Sequence, residues 1–314
     1  MKRLPVVILA GYETDPRKIQ KNSERLKRKL GVEYLEGINK GLIGQKEVGY
    51  SILQKLIDTY KETPFISEIT VVGPEAEFRE ADIQGCYYIN YNKSIGENIK
   101  RGILEYKGST IAMSTVDIPY VENHHLINYY NQISKHLNDK DLIIQFVDST
   151  NIRKESKWKP STILIDELGS KRSVVPGHFY IVNTNAIPEQ LYEFTSFLYQ
   201  QIKGEPLLKK LYGTYKKSTA LIDKKQYLNL GYAFLKLFFH KLKVSDGEKL
   251  AENILFKTHI AITNEASFAA DIDEKYSEYK NAISYLEEKK KSLDRIVLKE
   301  SKHKIIDSAL SESL

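Results

Sequence analysis

Carboxylates in two parts of the chain could bind a metal ion. Asp117 follows the apolar run in "AMSTVDIPYV" and precedes Pro119, while Asp271 and Asp273 flank one isoleucine in "FAADIDEKY". In an extended segment, side chains two residues apart point to the same side. Hard divalent cations take oxygen ligands from one or two carboxylates together with substrate phosphates. These residues therefore predict a site for Mg²⁺ or Mn²⁺.

Helix capping is the alternative explanation for these aspartates. Aspartate is a favoured N-cap residue, and Asp273 directly precedes a long charged segment that is predicted to be a helix. Capping explains Asp117 less well, because the next helix is predicted to begin near Glu122 or Asn123. The capping alternative therefore stays open chiefly at Asp273.

Two glycine-containing segments could contact the phosphates or base of a nucleotide. The run "LPVVILAG" ends at Leu9, Ala10 and Gly11, where backbone N–H groups can approach a ligand closely because glycine has no Cβ. Lys40 lies in the glycine-flanked stretch "GINKGLIG", where its ammonium group could neutralise triphosphate charge. Glycine after a strand and lysine in an exposed loop are both common, so neither segment alone indicates a nucleotide site.

The segments that carry these residues alternate between strand and helix patterns. Apolar runs predict strands at "LPVVILAG", "ISEITVVGP" and "STIAMSTVDIP", with a shorter strand at "CYYINYN". Helical periodicity in "GYSILQKLIDTY" and "SIGENIKRGILEY" predicts the helices between them. This alternation is typical of an α/β fold with a mainly parallel sheet. In such sheets the loops at the carboxyl ends of the strands converge on a crevice, where Asp117 is predicted to lie.

The second half of the chain has a less regular pattern. A helix is predicted over "HHLINYYNQISKHL", a strand over "DLIIQFV", and β structure joined by a polar turn over "STILIDELGSKRSVVPGHFYIVN". Residues 186–265 are predicted to be mostly helical, and a long charged helix with a frayed end is predicted from about Asp273 onward. Because no internal repeat is visible, the economical organisation is one domain over 1–283, followed by a charged helix and tail over 284–314.

Composition limits the class of protein. The 314 residues are 41% hydrophobic and 28% charged, as in ordinary globular proteins. The only cysteine, Cys86, cannot form an intramolecular disulfide, so a cytoplasmic location is the default expectation. A net charge of +6 favours phosphate-bearing partners. No nucleic-acid-binding module is recognisable, so nucleic acid is not an expected partner, and composition does not indicate an oligomeric state.

One apolar segment raises the question of membrane contact. The stretch "YLNLGYAFLKLFFHKL" at 227–242 is apolar around most of a helix but contains Lys236 and His240, and it is shorter than the roughly 20 apolar residues that a membrane span requires. A buried helix explains this pattern. Peripheral contact with a membrane that carries a lipid-linked acceptor is the alternative.

In their order along the chain, these segments resemble the MobA-like nucleotidyltransferases, a branch of the NTP transferases. "VVILAG" is similar to the family's nucleotide-binding strand, and "NKGLIGQKEVGYSILQKL" to its lysine-containing segment. "KSIGENIKRGI" resembles the loop and helix that place an asparagine, here Asn98, near the base and sugar. "STVDIPYV" resembles the metal-binding aspartate strand, and "AADIDEKYSEY" the closing segment that supplies a second metal ligand. The resemblance spans residues 4–283.

The resemblance implies a fold and a reaction. The fold is the Rossmann-like GT-A fold, a mainly parallel mixed sheet flanked by helices, here with a mostly helical insertion. The reaction is a Mg²⁺-dependent transfer of a nucleoside monophosphate from an NTP to an unidentified phosphate or hydroxyl acceptor, with release of pyrophosphate. In this chemistry Asp117 binds the metal, Asp271 or Asp273 adds a ligand, and Lys40 offsets triphosphate charge. The residues predicted to contact the acceptor are His178, Asn183, Lys216 and Lys217.

The chain departs from the family after its first strand. Typical members continue with a glycine-rich, arginine-containing loop, whereas "LAGYETDPRKIQKNSERLKRKLGVEYLEGINK" is long, highly charged and lacks the second glycine. Arg17 or Lys18 is predicted to replace the missing basic contact. The motif "DID" at 271–273 also fits a GT-A glycosyltransferase that uses a nucleotide-sugar. A catalytically inactive, nucleotide-binding relative is the third possibility.

Overall fold

The computed structural model describes most of the chain. The described residues are 1–12, 17, 20, 24, 39–91, 95–150, 163–167, 170–187, 243–254, 257–270 and 276–311. The predictions for Lys18, Lys216, Lys217, Asp271, Asp273 and the apolar segment 227–242 therefore lie outside the described residues. Within these described ranges, no helix is both long enough and apolar enough to cross a lipid bilayer.

A mixed β-sheet organises the described part of the chain. Its strands are β1 (Leu4–Leu9), β2 (Ile66–Gly73), β3 (Tyr87–Asn90), β4 (Thr110–Thr115), β5 (Leu142–Asp148), β6 (Ile163–Glu167), β7 (Ser170–Pro176), β8 (Phe179–Asn183) and β9 (Thr258–Thr263). The order across the sheet is β3-β2-β1-β4-β8-β5-β7-β6, and β9 also pairs with β5. Strands β1 to β4 are parallel, β8 runs antiparallel to both β4 and β5, and β9 is parallel to β5.

Helices cover the two faces of this sheet. They are α1 (Gln45–Val48), α2 (Ile52–Lys61), α3 (Glu75–Glu80), α4 (Ile95–Glu105), α5 (Asn123–Ile133), α6 (Val244–Ile254) and α7 (Tyr276–Ser311). Short 3₁₀ turns occupy Lys40–Leu42, Ser134–His136 and Ala266–Phe268. Helix α2 begins after Ser51, whose hydroxyl accepts a hydrogen bond from the Gln54 amide as an N-cap. It buries the apolar stripe that its periodicity predicts.

Strand β1 shows why the central strands are continuously apolar. Val6 and Ile8 pack into the larger core on one face of the sheet, together with residues of α2 and α5. Val7 packs into the smaller core on the other face, beside Val72 and Ile103. Because both faces are covered, successive side chains all lose contact with water, which selects an apolar residue at every position.

Within the described residues, the main predicted elements are confirmed, with one departure. Thr258–Thr263 lies within the section predicted to be mostly helical but forms β9. Its residues pair in register with Leu142–Val147 of β5, and its β-branched threonine and isoleucine residues suit a strand. The predicted charged helix is confirmed as α7. The predicted boundary between 283 and 284 falls inside this helix, and Ala282 and Leu286 on either side of it are fully buried.

The contact between α4 and β1 allows a test of the packing. A Cβ atom at Gly102 would lie 2.6 Å from Cγ1 of the buried Val7. We expect Gly102→Ala to lower the free energy of unfolding by about 1–2 kcal/mol, because the overpacking outweighs the gain in helix propensity. Urea denaturation measures the change. Leu104→Ala is the control, since Leu104 is 52% exposed on the same helix; an unchanged midpoint for Gly102→Ala would contradict the packing.

Candidate functional site

The carboxyl ends of β1 and β4 meet at one edge of the sheet. Leu9 pairs with Thr115 in the parallel register, and the Val116 amide donates to the Leu9 carbonyl at 3.1 Å. The chain therefore leaves the sheet at Gly11 and at Asp117 side by side. His178 joins them because β8 is antiparallel to β4, and the Thr115 amide donates to the His178 carbonyl at 3.2 Å.

An ion pair between Lys40 and Asp117 lies at this edge. Lys40 Nζ is 3.1 Å from Asp117 Oδ2, and the two side chains are 24% and 19% exposed. The 3₁₀ turn Lys40–Leu42 directs the lysine inward, and Asn39 caps that turn by accepting a hydrogen bond from the Gly41 amide at 3.1 Å. The structure thus brings together the two residues to which the sequence assigned catalytic roles.

Asp117 remains ionised although its carboxylate is largely removed from water. Burial by itself would raise the pKa of Asp117, but the positive charge of Lys40, with further contributions from the neighbouring His178 and the Thr115 hydroxyl, outweighs burial and holds the pKa well below its ordinary value. Asp117 Oδ1 and the Thr115 hydroxyl are buried, and among the described residues neither has a hydrogen bond of good geometry, although the Thr115 hydroxyl lies near enough to the carboxylate to help lower its pKa. Two buried oxygen atoms without a well-formed hydrogen bond thus lie beside the ion pair.

These oxygens suit a hard divalent cation. Mg²⁺ keeps several water molecules and often takes only one or two protein carboxylates together with substrate phosphates. The described residues contain no cluster of three His, Cys, Asp or Glu side chains arranged to hold a metal. Asp117 can therefore supply one ligand, and a complete site would need further oxygens from the substrate or from the predicted ligands Asp271 and Asp273.

The predicted nucleotide contacts also gather at this edge. The Ala10 amide donates to the Val72 carbonyl at 2.9 Å, which fixes the end of β1. A Cβ at Gly11 would lie 3.1 Å from Asn98 Nδ2 and 3.2 Å from Cδ2 of Tyr91, so the asparagine amide and the tyrosine ring wall the exposed glycine. The ring of Tyr12 stacks on Tyr91 with centroids 6.1 Å apart. This cradle offers backbone groups, an amide and aromatic surface to a ligand.

Two hydrogen bonds beside this cradle, both accepted by Glu77, were not predicted from the sequence. Glu77 on α3 accepts hydrogen bonds from Tyr12 at 2.7 Å and from Asn39 at 3.1 Å. In the sequence, Glu77 is one of several acidic residues in a short charged helix. Because its partners lie far away in the chain, no local pattern identifies it.

The first half of α7 contacts the segments that follow Lys40 and Asp117. Leu286 is fully buried and packs against Gly44, which follows the Lys40 turn. On the other side, the Tyr285 hydroxyl donates to Glu122, and Lys289 Nζ lies 2.7 Å from the same carboxylate. Since Glu122 follows Asp117 by five residues, α7 supports the segments of both charged residues.

A buried lysine completes this support. Lys55 of α2 is only 2% exposed; its ammonium donates to the Val121 carbonyl and lies 3.6 Å from Glu122. Burial, opposed in part by the charge of Glu122, lowers the pKa of Lys55 to about 8. The loop after Asp117 is therefore anchored by a lysine whose pKa lies below its ordinary value.

Other predicted site residues are placed differently. Asn183 pairs with Thr110 at the opposite end of β4 and donates its amide to Asp141 at 3.2 Å. The structure therefore does not bring Asn183 to the edge where Asp117 and His178 lie. The length of β8 separates His178 from Asn183, which sequence order alone did not reveal. Arg17 is exposed.

Comparisons with known proteins show similarity in three dimensions only. No protein family and no curated protein sequence matches this chain. A hypothetical transferase from Thermus thermophilus is 15% identical, with a TM-score of 0.57, over 88% of this chain and 99% of that chain. CMP:2-keto-3-deoxy-manno-octonic acid synthetase, complexed with CTP, is 10% identical, with a TM-score of 0.50, over 92% of this chain and 100% of that chain.

At such low identity the similarity defines the fold. The chain is an α/β protein with a mixed parallel and antiparallel sheet flanked by helices, the arrangement found in these two structures and consistent with a Rossmann-like GT-A fold. The predicted fold class is thereby confirmed.

The ion pair predicts a pH-dependent stability. In Lys40→Met the Asp117 carboxylate loses its partner, so we expect the free energy of unfolding at pH 7 to fall by about 1–3 kcal/mol. The native pKa of Asp117 is depressed, so its contribution is present above the ordinary value of 3.8 and is lost as the pH falls through the native value. The difference between the two proteins should therefore shrink toward about pH 3. Urea denaturation with the exposed Lys46→Met as control measures it; an equal effect at both pH values would contradict the assignment.

Lys55 predicts that stability also rises with pH, here in the alkaline range. Its native pKa of about 8 lies below the ordinary 10.5, so the unfolded chain binds more protons between these values. Stability relative to Lys55→Met should therefore rise by about 1 kcal/mol between pH 7 and pH 9. Denaturation of both proteins in parallel cancels the titration of the tyrosines. A difference that does not change with pH would show that Lys55 titrates normally.

Proposed function

We propose that this chain is a nucleotidyltransferase. It transfers a nucleoside monophosphate from an NTP to a phosphate or hydroxyl acceptor and releases pyrophosphate. The proposal is supported by the fold shared with a hypothetical transferase and with a synthetase complexed with CTP. The MobA-like branch is the finer form of the proposal, because the order of segments in the sequence resembles that branch.

The observation that carries the proposal is the ion pair beside the glycine cradle. Lys40 and Asp117 meet at 3.1 Å at the edge where the exposed Gly11 and the buried Asn98 also lie. A positive group and an accessible backbone suit the negative charge of a triphosphate, and an ionised carboxylate suits the divalent cation that accompanies it.

The chain's own residues account for positioning and charge. Gly11 and Asn98 hold the base and sugar, which orients the α-phosphorus for in-line attack. Lys40 exchanges its contact with Asp117 for the triphosphate oxygens and offsets the charge that builds up on them. An acceptor oxygen forms a bond to the α-phosphorus while the bond to the bridging oxygen of the β-phosphate breaks, and pyrophosphate leaves; a hydroxyl acceptor gives up its proton to water. No covalent intermediate on the protein is needed.

The metal in this proposal is Mg²⁺ or Mn²⁺. Asp117 would hold it through Oδ1, the oxygen that is buried without a hydrogen-bond partner among the described residues, with Asp271 or Asp273 as a further ligand. When bound, the cation supplies positive charge to the α-phosphate and the leaving group. On the acceptor side the proposal keeps His178, whose backbone is bonded to Thr115, together with Lys216 and Lys217 from the sequence.

The test combines binding and product analysis. Thermal unfolding is measured with ATP, GTP, CTP and UTP, each with and without Mg²⁺, on wild type and Asp117→Asn. One nucleotide at about 100 times its dissociation constant should add roughly 2.7 kcal/mol of stability to the wild type. We expect the Mg²⁺-dependent part of this shift to disappear in Asp117→Asn, and pyrophosphate release to fall by about 10²–10³-fold.

The products separate the proposal from its alternatives. With candidate sugar phosphates and hydroxyl acceptors, release of pyrophosphate supports nucleotidyl transfer. Release of a nucleoside diphosphate from a nucleotide-sugar would indicate a glycosyltransferase instead. Binding of a nucleotide without any turnover would indicate an inactive relative, and no thermal shift with any nucleotide would overturn the proposal.

A further inference from the structure

One carboxylate joins the two ends of the long segment that follows β1. Glu77 Oε1 accepts a hydrogen bond from the Tyr12 hydroxyl at 2.7 Å, and Glu77 Oε2 accepts one from Asn39 Nδ2 at 3.1 Å. Tyr12 directly follows Gly11, and Asn39 directly precedes Lys40. Both carboxylate oxygens of Glu77 are thus hydrogen-bonded. One binds the residue that precedes the segment 13–38, and the other binds the residue that follows it.

On one side the bond to Asn39 reaches the lysine. Asn39 is only 8% exposed, and its second amide atom, Oδ1, accepts from the Gly41 amide at 3.1 Å and caps the 3₁₀ turn that starts with Lys40. A Cβ at Gly41 would lie 3.3 Å from the Phe78 ring and 3.4 Å from Cγ2 of Val116, the residue before Asp117. The turn therefore packs between α3 and the end of β4.

On the other side the bond to Tyr12 reaches the glycine cradle. Tyr12 stacks on Tyr91, and the Tyr91 ring is in contact with Gly11. Burial and the hydrogen bond to Glu77 raise the pKa of the Tyr12 phenol well above its ordinary value, so the hydroxyl keeps the proton that it donates. The aromatic wall of the cradle is consequently fixed to the same helix as the lysine turn.

We propose that Glu77 is a positioning residue that couples the glycine cradle to Lys40. By holding Tyr12 and Asn39 at once, it sets the distance between Gly11 and the ammonium group and directs that group toward Asp117. The inference rests on the proposed function for its catalytic consequence. In this proposal, α3 aligns Tyr12 with Asn39, the residues that flank the segment where the sequence departs from the glycine-rich loop of the family it resembles.

The neighbouring Glu75 shows that a surface glutamate on this helix does not have to make such contacts. Glu75 accepts from Arg79, four residues later on the same helix, at 2.8 Å, and Arg79 is 64% exposed in its side chain. A pair of this kind contributes little to stability. Glu75→Ala is therefore a matched control, since it removes the same type of side chain from the same helix without removing a hydrogen bond to Tyr12 or Asn39.

The first measurement is independent of catalysis. Limited acetylation followed by mass spectrometry compares the labelling rate of Lys40 in wild type, Glu77→Ala and Glu75→Ala, with the exposed Lys46 as internal reference. We expect Lys40 to react about 3–10-fold faster in Glu77→Ala, because the lysine is no longer held against Asp117, and to be unchanged in Glu75→Ala. Equal Lys40 rates in both variants would overturn the positioning role.

The second measurement is a double-mutant cycle. Tyr12→Phe removes one hydrogen bond to Glu77, and Asn39→Ser removes the other while keeping an oxygen that can cap the Lys40 turn. Each should lower kcat for the NTP that the wild type uses by about 3–10-fold in the wild-type background and have less than about twofold effect in Glu77→Ala. Glu77→Ala itself should lower kcat by about 10–100-fold, with partial recovery in Glu77→Gln, whose amide can bond to both partners.

The outcomes distinguish the two proposals. If wild type releases no pyrophosphate with any nucleotide, the proposed function fails, while the acetylation result still decides whether Glu77 positions Lys40. If wild type is active and Tyr12→Phe has the same effect with and without Glu77, the coupling through Glu77 is wrong. Loss of folding in Glu77→Ala would be visible as a lost unfolding transition, and Asn39→Ser, which removes the bond between Glu77 and the Lys40 turn, would then replace it in the comparison of labelling rates.

Discussion

The described site depends on keeping the buried carboxylate of Asp117 ionised. At the end of a central strand, desolvation favours the protonated acid. The charge of Lys40, with contributions from the neighbouring His178 and the Thr115 hydroxyl, reverses this preference, and Lys40 Nζ lies 3.1 Å from Asp117 Oδ2 at the edge where β1 and β4 end. Every other feature of the site either holds one of these groups in place or adds a surface that a ligand could use.

The sheet makes this arrangement rigid. Because β1 and β4 are covered on both faces, their ends cannot move without disturbing two cores at once. The groups around the pair are tied to this frame from several directions, since Asn39 is held through Glu77 by α3, and Glu122 by both α2 and α7. The C-terminal helix is thus part of the frame over its first half, where Leu286 is fully buried.

Residues close together in the sequence were easier to predict than contacts between distant ones. The apolar periods of β1, β2, β4 and α2 predicted these elements, and the edge position of Asp117 followed from the rule for strand ends. Thr258–Thr263 was included in a section predicted to be mostly helical, although its β-branched residues favour the strand that pairs with β5. Likewise, His178 and Asn183 looked equivalent until the antiparallel direction of β8 placed them at opposite ends.

By itself, the sequence determined the fold class, the central elements and the residue types available for phosphate chemistry, because periodicity, capping and turn signals act over a few residues. Only the tertiary structure decided that Lys40 pairs with Asp117 across 77 positions, and that Glu77 joins Tyr12 to Asn39. Such contacts depend on strand register and on the packing of helices against the sheet. These are set by the burial of many residues together, and no single segment encodes them.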